Sequence, residues 1–271
     1  MDAKRGGAYI GRMQTLPIGD KLRDWRHRRR LSQLDLALDA GISARHLSFI
    51  ETGRSTPSRD MVLRLADCLE LPLRERNACL LAAGFAPAFP DPDLADVALQ
   101  PALAGVRALL KAHEPFAALA VDRHWNLIAA NGPTELLLAD AAPWLTKPPI
   151  NVLRASLHPE GLAPRIRNYG EWRAHLVHRL RRQFADSADP EIGTLIEEIS
   201  AYPVPTGAAR PSRDPGETLA VPLVLDTPRG LMRFVSTTMV FGAPHAPVLA
   251  ELAIETFLPA DEATMQAVRG L

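Results

Sequence analysis

Two short runs of apolar residues at helical spacing stand close together near the N-terminus. In the first run, Leu34, Ala37 and Leu38 recur on one helix face, which predicts that they face the core. Ser32 precedes them, where its hydroxyl can accept from the free N–H groups that open a helix. Gly41 follows, and a glycine there can take a positive φ and turn the chain sharply. The pattern predicts a helix that ends in a tight turn.

The second run has the same layout. Ser43 stands at its cap position, Leu47 and Ile50 form an inward pair, and Gly53 ends it. Together the runs predict a helix-turn-helix, whose second helix fits the major groove of DNA. There an arginine can donate two hydrogen bonds to guanine, and an apolar ring can lie on a thymine methyl group. The residues left facing outward are Ala44, Arg45, His46, Ser48 and Phe49.

Three more helices complete a five-helix N-terminal domain. Apolar spacing predicts the first helix over 18–29, the fourth after a Ser58 cap and the fifth between Pro72 and Gly84. The first helix ends in the basic run 26–30. This run either favours the helix macrodipole or lies beside a phosphate backbone, and both interpretations stay open.

The second half of the chain mixes strand and helix patterns. Residues 116–122 and 125–131 are apolar and suited to strands, and they predict a hairpin. From periodicity alone this half is an α+β domain. The helices predicted after the hairpin cover 133–139, 169–184 and 191–201, and the later strands cover 219–225, 231–241 and 251–258, before a terminal helix capped by Asp261.

Prolines divide the chain. Three prolines in the six positions 87–92 remove backbone donors and disfavour helix, which predicts an extended connector. Four prolines in 203–217 predict a mobile loop. The expected divisions are a flexible tail over 1–14, the helix-turn-helix domain over 15–85, a Pro-rich connector over 86–98 and the α+β domain over 99–271.

Charge also separates the two halves. Residues 1–85 hold 15 Lys and Arg against 10 Asp and Glu, a balance of +5, so the remaining residues hold 16 against 21, a balance of −5. A basic N-terminal domain suits the negative charge of DNA. Because its positive excess is small, we expect dimerisation to supply part of the affinity for DNA. No apolar run has the length of a signal peptide or a membrane span, which predicts a cytoplasmic protein without membrane contact.

The helix-turn-helix string carries a family resemblance. Its matching residues are Leu31-Ser32-Gln33, Ala37, Gly41-Ile42-Ser43, Leu47, Ile50-Glu51 and Gly53. On these residues the chain resembles the Xre/lambda-repressor-like family, which implies phosphate contacts by Gln33 and Thr52 and base contacts from early in the third helix. Ala44 departs from the polar residue often found there, so hydrogen-bonded readout rests mainly on Arg45. The predicted DNA-binding residues are Gln33, Ser43, Ala44, Arg45, His46, Ser48, Phe49, Thr52 and Arg54.

Further strings extend the resemblance over nearly the whole chain after residue 15. They include Val121-Asp122-Arg123-His124-Trp125-Asn126, His158-Pro159-Glu160-Gly161-Leu162 and Phe257-Leu258-Pro259-Ala260-Asp261-Glu262. With these strings the chain resembles the MmyB-like regulators. The resemblance implies a PAS-like antiparallel sheet with covering helices, a ligand cavity, and a small apolar effector such as a fatty acid.

The residues of such a cavity are predicted only by type and position. Aromatic side chains could surround an apolar ligand or belong to the core, and polar side chains near helix ends could orient a head group or act as caps. The candidate ligand-binding residues are Trp125, Asn151, Arg154, His158, Asn168, Tyr169, Trp172, Phe234 and Phe241.

Signatures of metal binding and catalysis are weak. Glu171, His175 and His178 share a helix face at a spacing that could hold a metal ion, but neighbouring arginines and an apolar stripe favour a solvated face. Cys68 and Cys79 lack C-x-x-C spacing and are predicted to be small core residues. No G-x-S-x-G, P-loop or G-x-G-x-x-G occurs. We therefore expect no metal, no cofactor, no catalytic residue and no enzyme activity.

These observations predict a one-component transcription regulator. We expect a homodimer on a pseudo-palindromic site in double-stranded DNA, with a small-molecule effector that changes operator affinity. Two alternatives stay open: a repressor whose second domain serves only dimerisation or protein contacts, and a sensor with a bound cofactor. A ligand cavity would argue against the first alternative, and a colourless purified protein against a flavin or haem.

Overall fold

The computed structural model describes residues 16–206 and 221–270, and the chain divides into two compact units. The main division lies between Asp91 and Pro92, and the short segments Ala185–Ser187 and His245–Pro247 group with the first unit. The division falls inside the connector predicted over 86–98, and the exact ends of the two domains stay a prediction. The tail predicted over 1–14 and most of the loop predicted over 203–217 lie outside the described residues. Within the described ranges, no helix is long and apolar enough to cross a membrane.

From residue 16 onward, where the description of the chain begins, five helices form the first unit, as the sequence predicted. They are α1 (Ile18–Arg28), α2 (Gln33–Asp39), α3 (Ala44–Glu51), α4 (Arg59–Cys68) and α5 (Leu73–Ala82). Ser32, Ser43 and Ser58 cap α2, α3 and α4 by accepting from backbone N–H groups. Gly41 and Gly53 have φ of +64° and +72°, which lets the chain turn directly after α2 and α3.

The predicted inward face of α2 is wrong for Leu34 and Leu38 and right for Ala37. Leu34 and Leu38 are 58% and 68% exposed, whereas Leu36, Ala37 and Ala40 are buried. Two apolar sets with helical spacing compete on this short helix. The small alanines allow the close approach of neighbouring helices, so tertiary packing selects their face.

A five-stranded antiparallel sheet forms the second unit, with the order β2-β1-β5-β4-β3. Its strands are β1 (Ala118–Val121), β2 (Leu127–Ala130), β3 (Leu223–Thr227), β4 (Gly230–Val240) and β5 (Ala253–Pro259). The first two strands form the predicted hairpin, and Gly230 closes the β3–β4 hairpin with φ of +100°. The predicted α+β class with a covered antiparallel sheet is confirmed, and its PAS-like character stays a prediction.

Helices cover both faces of this sheet. They are α6 (Gln100–Ala112), α7 (Gly132–Leu138), α8 (Val152–Leu157), α9 (Tyr169–Ser187), α10 (Pro190–Ala201), α11 (Pro247–Ala250) and α12 (Glu262–Arg269). Sequence reasoning missed α6, whose Leu103, Val106 and Leu110 pack with Ala118 and Ala120 of β1 in a separate small core. The main core lies on the opposite face, where α8, α9 and α10 pack.

Candidate functional site

Helix α3 presents a basic and aromatic surface. Leu47 and Ile50 are fully buried, as predicted, and this fixes which side of α3 faces outward. Arg45 is exposed and Phe49 is half-buried. The guanidinium carbons of Arg45 and Arg54 lie 5.3 Å and 6.0 Å from the centre of the Phe49 ring. Two cations therefore lie beside one aromatic ring on the outward side of α3.

Several predicted DNA-binding residues already have protein partners. Gln33 donates from Nε2 to Glu51 at 2.8 Å, and the Thr52 hydroxyl donates to the Ser48 carbonyl at 2.7 Å. The Ser43 hydroxyl accepts from the His46 N–H at the start of α3. Ala44, His46 and Ser48 are half-buried on α3, while Thr52 and Arg54 are exposed beyond it. DNA contact by each of these residues stays a prediction.

A buried ion pair connects α1 to α3. Arg26 donates from Nε and Nη2 to the two carboxylate oxygens of Glu51 at 2.7 and 2.9 Å, and from Nη1 to the Leu31 carbonyl. Burial alone would raise the pKa of Glu51, but the hydrogen bonds from Arg26 and Gln33 outweigh it and lower the pKa. The pair holds α3 at a fixed angle to α1, with its outward face unobstructed by either partner.

This ion pair changes the interpretation of the basic run 26–30. Arg26 is 6% exposed and belongs to the pair, and Arg29 donates to the Leu69 and Glu70 carbonyls beyond α4. His27, Arg28 and Arg30 are exposed. Two of the five basic residues therefore hold the fold together, a role that neither sequence interpretation foresaw.

The second unit contains a largely apolar cavity. It lies between the inner face of the sheet and helices α7, α8 and α9, with an empty volume of about 770 Å³ that includes its opening to solvent. The described residues that line it are Ala117, Leu119, Trp125, Thr134, Leu137, Leu138, Val152, Leu153, Ser156, Leu162, Trp172, Leu176, Arg179, Leu223, Leu225, Phe234, Ser236, Glu255 and Phe257. A concave apolar site with a few polar groups is typical of small-molecule pockets.

A second Arg–Glu pair lines this cavity. Arg179 of α9 donates from Nη1 and Nη2 to the two carboxylate oxygens of Glu255 of β5, at 3.0 and 2.5 Å. Its Nη2 also donates to the Thr238 hydroxyl at 2.7 Å, and its guanidinium carbon lies 4.6 Å from the centre of a Trp125 ring. Burial, followed by the charge of Arg179, lowers the pKa of nearby His175, so this histidine adds no charge at neutral pH.

Trp125 occupies an unusual backbone position in the cavity wall. Its φ is +66°, which is strained for a bulky residue, and such strain concentrates at functional sites. The Asp122 carboxylate holds the turn by accepting from the N–H groups of His124 and Asn126, both at 2.8 Å. The indole N–H donates to Gln183 of α9 at 2.9 Å. The turn between β1 and β2 therefore holds this ring against the cavity.

The structure places three of the nine predicted ligand residues in the cavity wall: Trp125, Trp172 and Phe234. Phe241 packs against the small core on the other face of the sheet. Tyr169 is fully buried and donates from its hydroxyl to the Leu157 carbonyl at 3.0 Å. Tyr169 therefore connects α9 to α8.

The four remaining candidates hold backbone or side-chain partners outside the cavity lining. Asn151 caps α8, Asn168 bonds to Pro222 and Val224 beside β3, and Arg154 donates to Glu198 at 2.7 to 3.0 Å. The His158 Nδ1 accepts from the Glu160 N–H at 3.0 Å. Ligand contact by these four residues, and by Phe241 and Tyr169, stays a prediction.

Sequence reasoning missed Arg179 and Glu255. The spacing of Trp172, Leu176 and Arg179 at i, i+4 and i+7 places the arginine on the inward face of α9, and this signal was present in the sequence. Glu255 stands between Ile254 and Thr256 in β5, where both faces of the strand are covered and alternation is lost. Nothing in the sequence signals its pairing with Arg179.

The residues of the metal-like and cysteine patterns differ in burial and in partners. Among the described residues, no group of three His, Cys, Asp or Glu side chains is arranged to hold a metal ion. His175 stacks on Trp172 with ring centres 5.6 Å apart, while His178 is exposed. Cys79 is buried, which raises the pKa of its thiol to about 12, and Cys68 is half-buried. The Cys79 thiol therefore stays protonated at neutral pH.

Comparisons with known proteins match both units. A family described as "MmyB-like transcription regulator ligand binding domain" matches residues 103–271, and one described as "Helix-turn-helix domain" matches residues 17–79. The chain is similar to the uncharacterized HTH-type transcriptional regulator RghRB of Bacillus subtilis (strain 168), at 40% identity over 76 residues, which are 28% of this chain and 52% of that protein. The chain thus covers about half of that relative. Because the first match spans more than half of the chain, this protein belongs to the MmyB-like transcription regulator ligand-binding domain family.

Proposed function

We propose that this protein is a transcription regulator that binds a specific operator in double-stranded DNA as a homodimer. Helix α3 reads base edges through Arg45, while Phe49 provides apolar contact. The exposed pair of arginines around Phe49, on a helix whose inward face is fixed by Leu47 and Ile50, is the observation that carries this proposal. Dimerisation supplies the affinity that a small basic excess does not.

The effector in this proposal is a small, largely apolar molecule, and a fatty-acyl chain is its leading class. Nineteen described residues line the cavity, and only two of them carry charge. A molecule that binds one state of the second unit more tightly shifts the equilibrium between states and so changes operator affinity. The largely apolar cavity supports ligand binding by the second unit over the alternative in which that unit makes only protein contacts. The protein carries out no catalysis in this proposal.

The test is the substitution Arg45→Ala, with binding measured on the operator selected from random DNA and on unrelated duplex. Losing a base contact costs about 1 to 3 kcal/mol on the operator and little on unrelated DNA. Arg107→Ala is the matched control, because Arg107 is an exposed arginine on α6 of the second unit. Equal losses on both DNAs would refute base readout by Arg45, and a complex with one chain per operator would refute the homodimer.

A further inference from the structure

The polar end of the cavity is an ion pair rather than an isolated charge. Both carboxylate oxygens of Glu255 accept from Arg179, and Thr238 accepts a third N–H of the same guanidinium. Glu255 is 3% exposed, so its charge is removed from water and depends on Arg179. The pair as a whole is neutral.

No other described residue in the cavity wall carries a formal charge. The remaining polar groups in the lining are hydroxyls and two indoles. Thr134 donates to the Ala118 carbonyl, Ser156 accepts from Trp172, and the Trp125 indole donates to Gln183. A ligand carboxylate that approached Arg179 would have to displace Glu255 or lie beside it. Displacement would leave Glu255 buried without its partner, and the second arrangement would put two carboxylates on one guanidinium. Either arrangement leaves a net negative charge with little access to water, which is strongly unfavourable.

Donors for an uncharged group are present at the same place. In the described part of the chain, the Nε–H and one Nη1–H of Arg179 have no acceptor. The Ser236 hydroxyl, in the lining, likewise has no hydrogen bond there. Ser236 lies two residues from Thr238 on β4, so both side chains are on the same face of the sheet.

We propose that the cavity selects an uncharged lipophilic ligand, a chain whose head group forms hydrogen bonds but carries no charge, such as an ester or an alcohol. This inference rests on the ligand-binding part of the proposed function and adds the head-group class to it. Glu255 is the specificity-determining residue, because it neutralises Arg179 and thereby excludes the free carboxylate. The apolar wall of the cavity accepts the hydrocarbon part of the ligand whether its head group is charged or uncharged.

The experiment compares methyl laurate, dodecanol and lauric acid on the full-length protein at pH 7. Binding is followed by intrinsic tryptophan fluorescence, since Trp125 and Trp172 lie in the cavity wall. The ester and the alcohol are expected to bind at least about tenfold more tightly than the acid, because the acid must disrupt a buried ion pair. Equal or tighter binding of the acid to the wild-type protein would overturn the proposal without needing any variant.

Glu255→Gln tests the cause of the selectivity. It removes the negative charge and leaves Arg179 positive, so the acid is expected to gain at least about tenfold while the ester changes little. Glu198→Gln is the matched control, because Glu198 also pairs with an arginine, Arg154, but does not line the cavity. The control is expected to keep the wild-type ratio of acid to ester affinity.

The outcomes separate this inference from the proposed function. An unchanged acid-to-ester ratio in a folded Glu255→Gln protein would overturn the role of Glu255. If Glu255→Gln does not fold, the wild-type comparison still decides whether the uncharged form is preferred. Failure of all three probes to bind would overturn the apolar effector itself, and the head-group inference with it.

Discussion

Both units contain an Arg–Glu pair, and the two pairs have opposite surroundings. In the first unit, the side chains of Arg26 and Glu51 are 7% and 1% exposed, and Gln33 completes the hydrogen bonding of the carboxylate. In the second unit, the side chains of Arg179 and Glu255 are 27% and 5% exposed, and both line a cavity. One pair is enclosed by protein, and the other borders empty space.

The difference shows that the role of an ion pair follows from what surrounds it. A fully enclosed pair contributes fixed geometry, here the angle between α1 and α3, because breaking it leaves a charge that no solvent can reach. A pair at a cavity wall has N–H groups without an acceptor, which can donate hydrogen bonds to a bound ligand. The same two residue types therefore connect two helices in one unit and line a cavity in the other.

The largest effect is expected for Glu51→Ala. Removing the carboxylate leaves Arg26 buried without a counter-charge and Gln33 without its acceptor, which destabilises the first unit by about 3 to 5 kcal/mol. Urea unfolding followed through Trp25, which is buried in α1, measures the loss. Asp39→Ala, at an exposed acid on α2, is the control and should change stability little. A loss under about 1 kcal/mol would show that the enclosed pair is not needed for the fold.

A smaller effect is expected for Glu255→Gln on the stability of the second unit. Arg179 keeps the Thr238 hydroxyl and the Trp125 ring, and part of its side chain reaches water, so the loss is about 1 to 2 kcal/mol. Circular dichroism during urea unfolding gives the value beside that of Glu51→Ala. A loss as large as that of Glu51→Ala would remove the distinction between the two pairs.

The sequence predicted the first unit well because its signals are local. The Ser43 cap, the Gly41 turn and the inward Leu47 and Ile50 all lie within a few residues of one another, and each restricts the same short helix. The prediction for α2 was wrong for two of its leucines because two sets of apolar residues have helical spacing on this helix. Leu34 and Leu38 fit the spacing as well as the buried Leu36 and Ala40 do. Only packing against other helices separates such sets.

An apolar cavity with aromatic side chains could be predicted from the sequence, but its charged pair could not. Trp125, Trp172 and Phe234 were identified by type, and all three lie in its wall. The pairing of Arg179 with Glu255 joins residues 76 positions apart, and helix α6 was missed although Leu103, Val106 and Leu110 have helical spacing. Long-range partners depend on how the sheet and helices pack, which no local pattern records.

The smallest effect concerns a histidine–aspartate pair of the second unit, which changes its protonation near neutral pH, unlike the arginine–glutamate pairs. His124 contacts Asp189 through Nε2 at 2.8 Å and Glu191 through Nδ1 at 3.4 Å. Burial alone would lower the pKa of His124, but the interaction with Asp189 outweighs burial and raises it. Stabilisation by this pair is fully present below the unfolded pKa of about 6.5 and is lost as pH rises through the raised folded pKa.

The unfolding free energy of the second unit should therefore fall as pH rises above 6.5, by less than about 1 kcal/mol because the pair is partly exposed. His175 has the opposite effect, and at lower pH. Because its folded pKa is lowered, protonation of His175 destabilises the second unit, and this destabilisation disappears as pH rises to 6.5. His124→Gln should remove the fall, whereas His178→Gln, at an exposed histidine of α9, should keep it. A fall of the same size in His124→Gln would assign the pH dependence to a different group and leave the two arginine pairs as the contrast between the units.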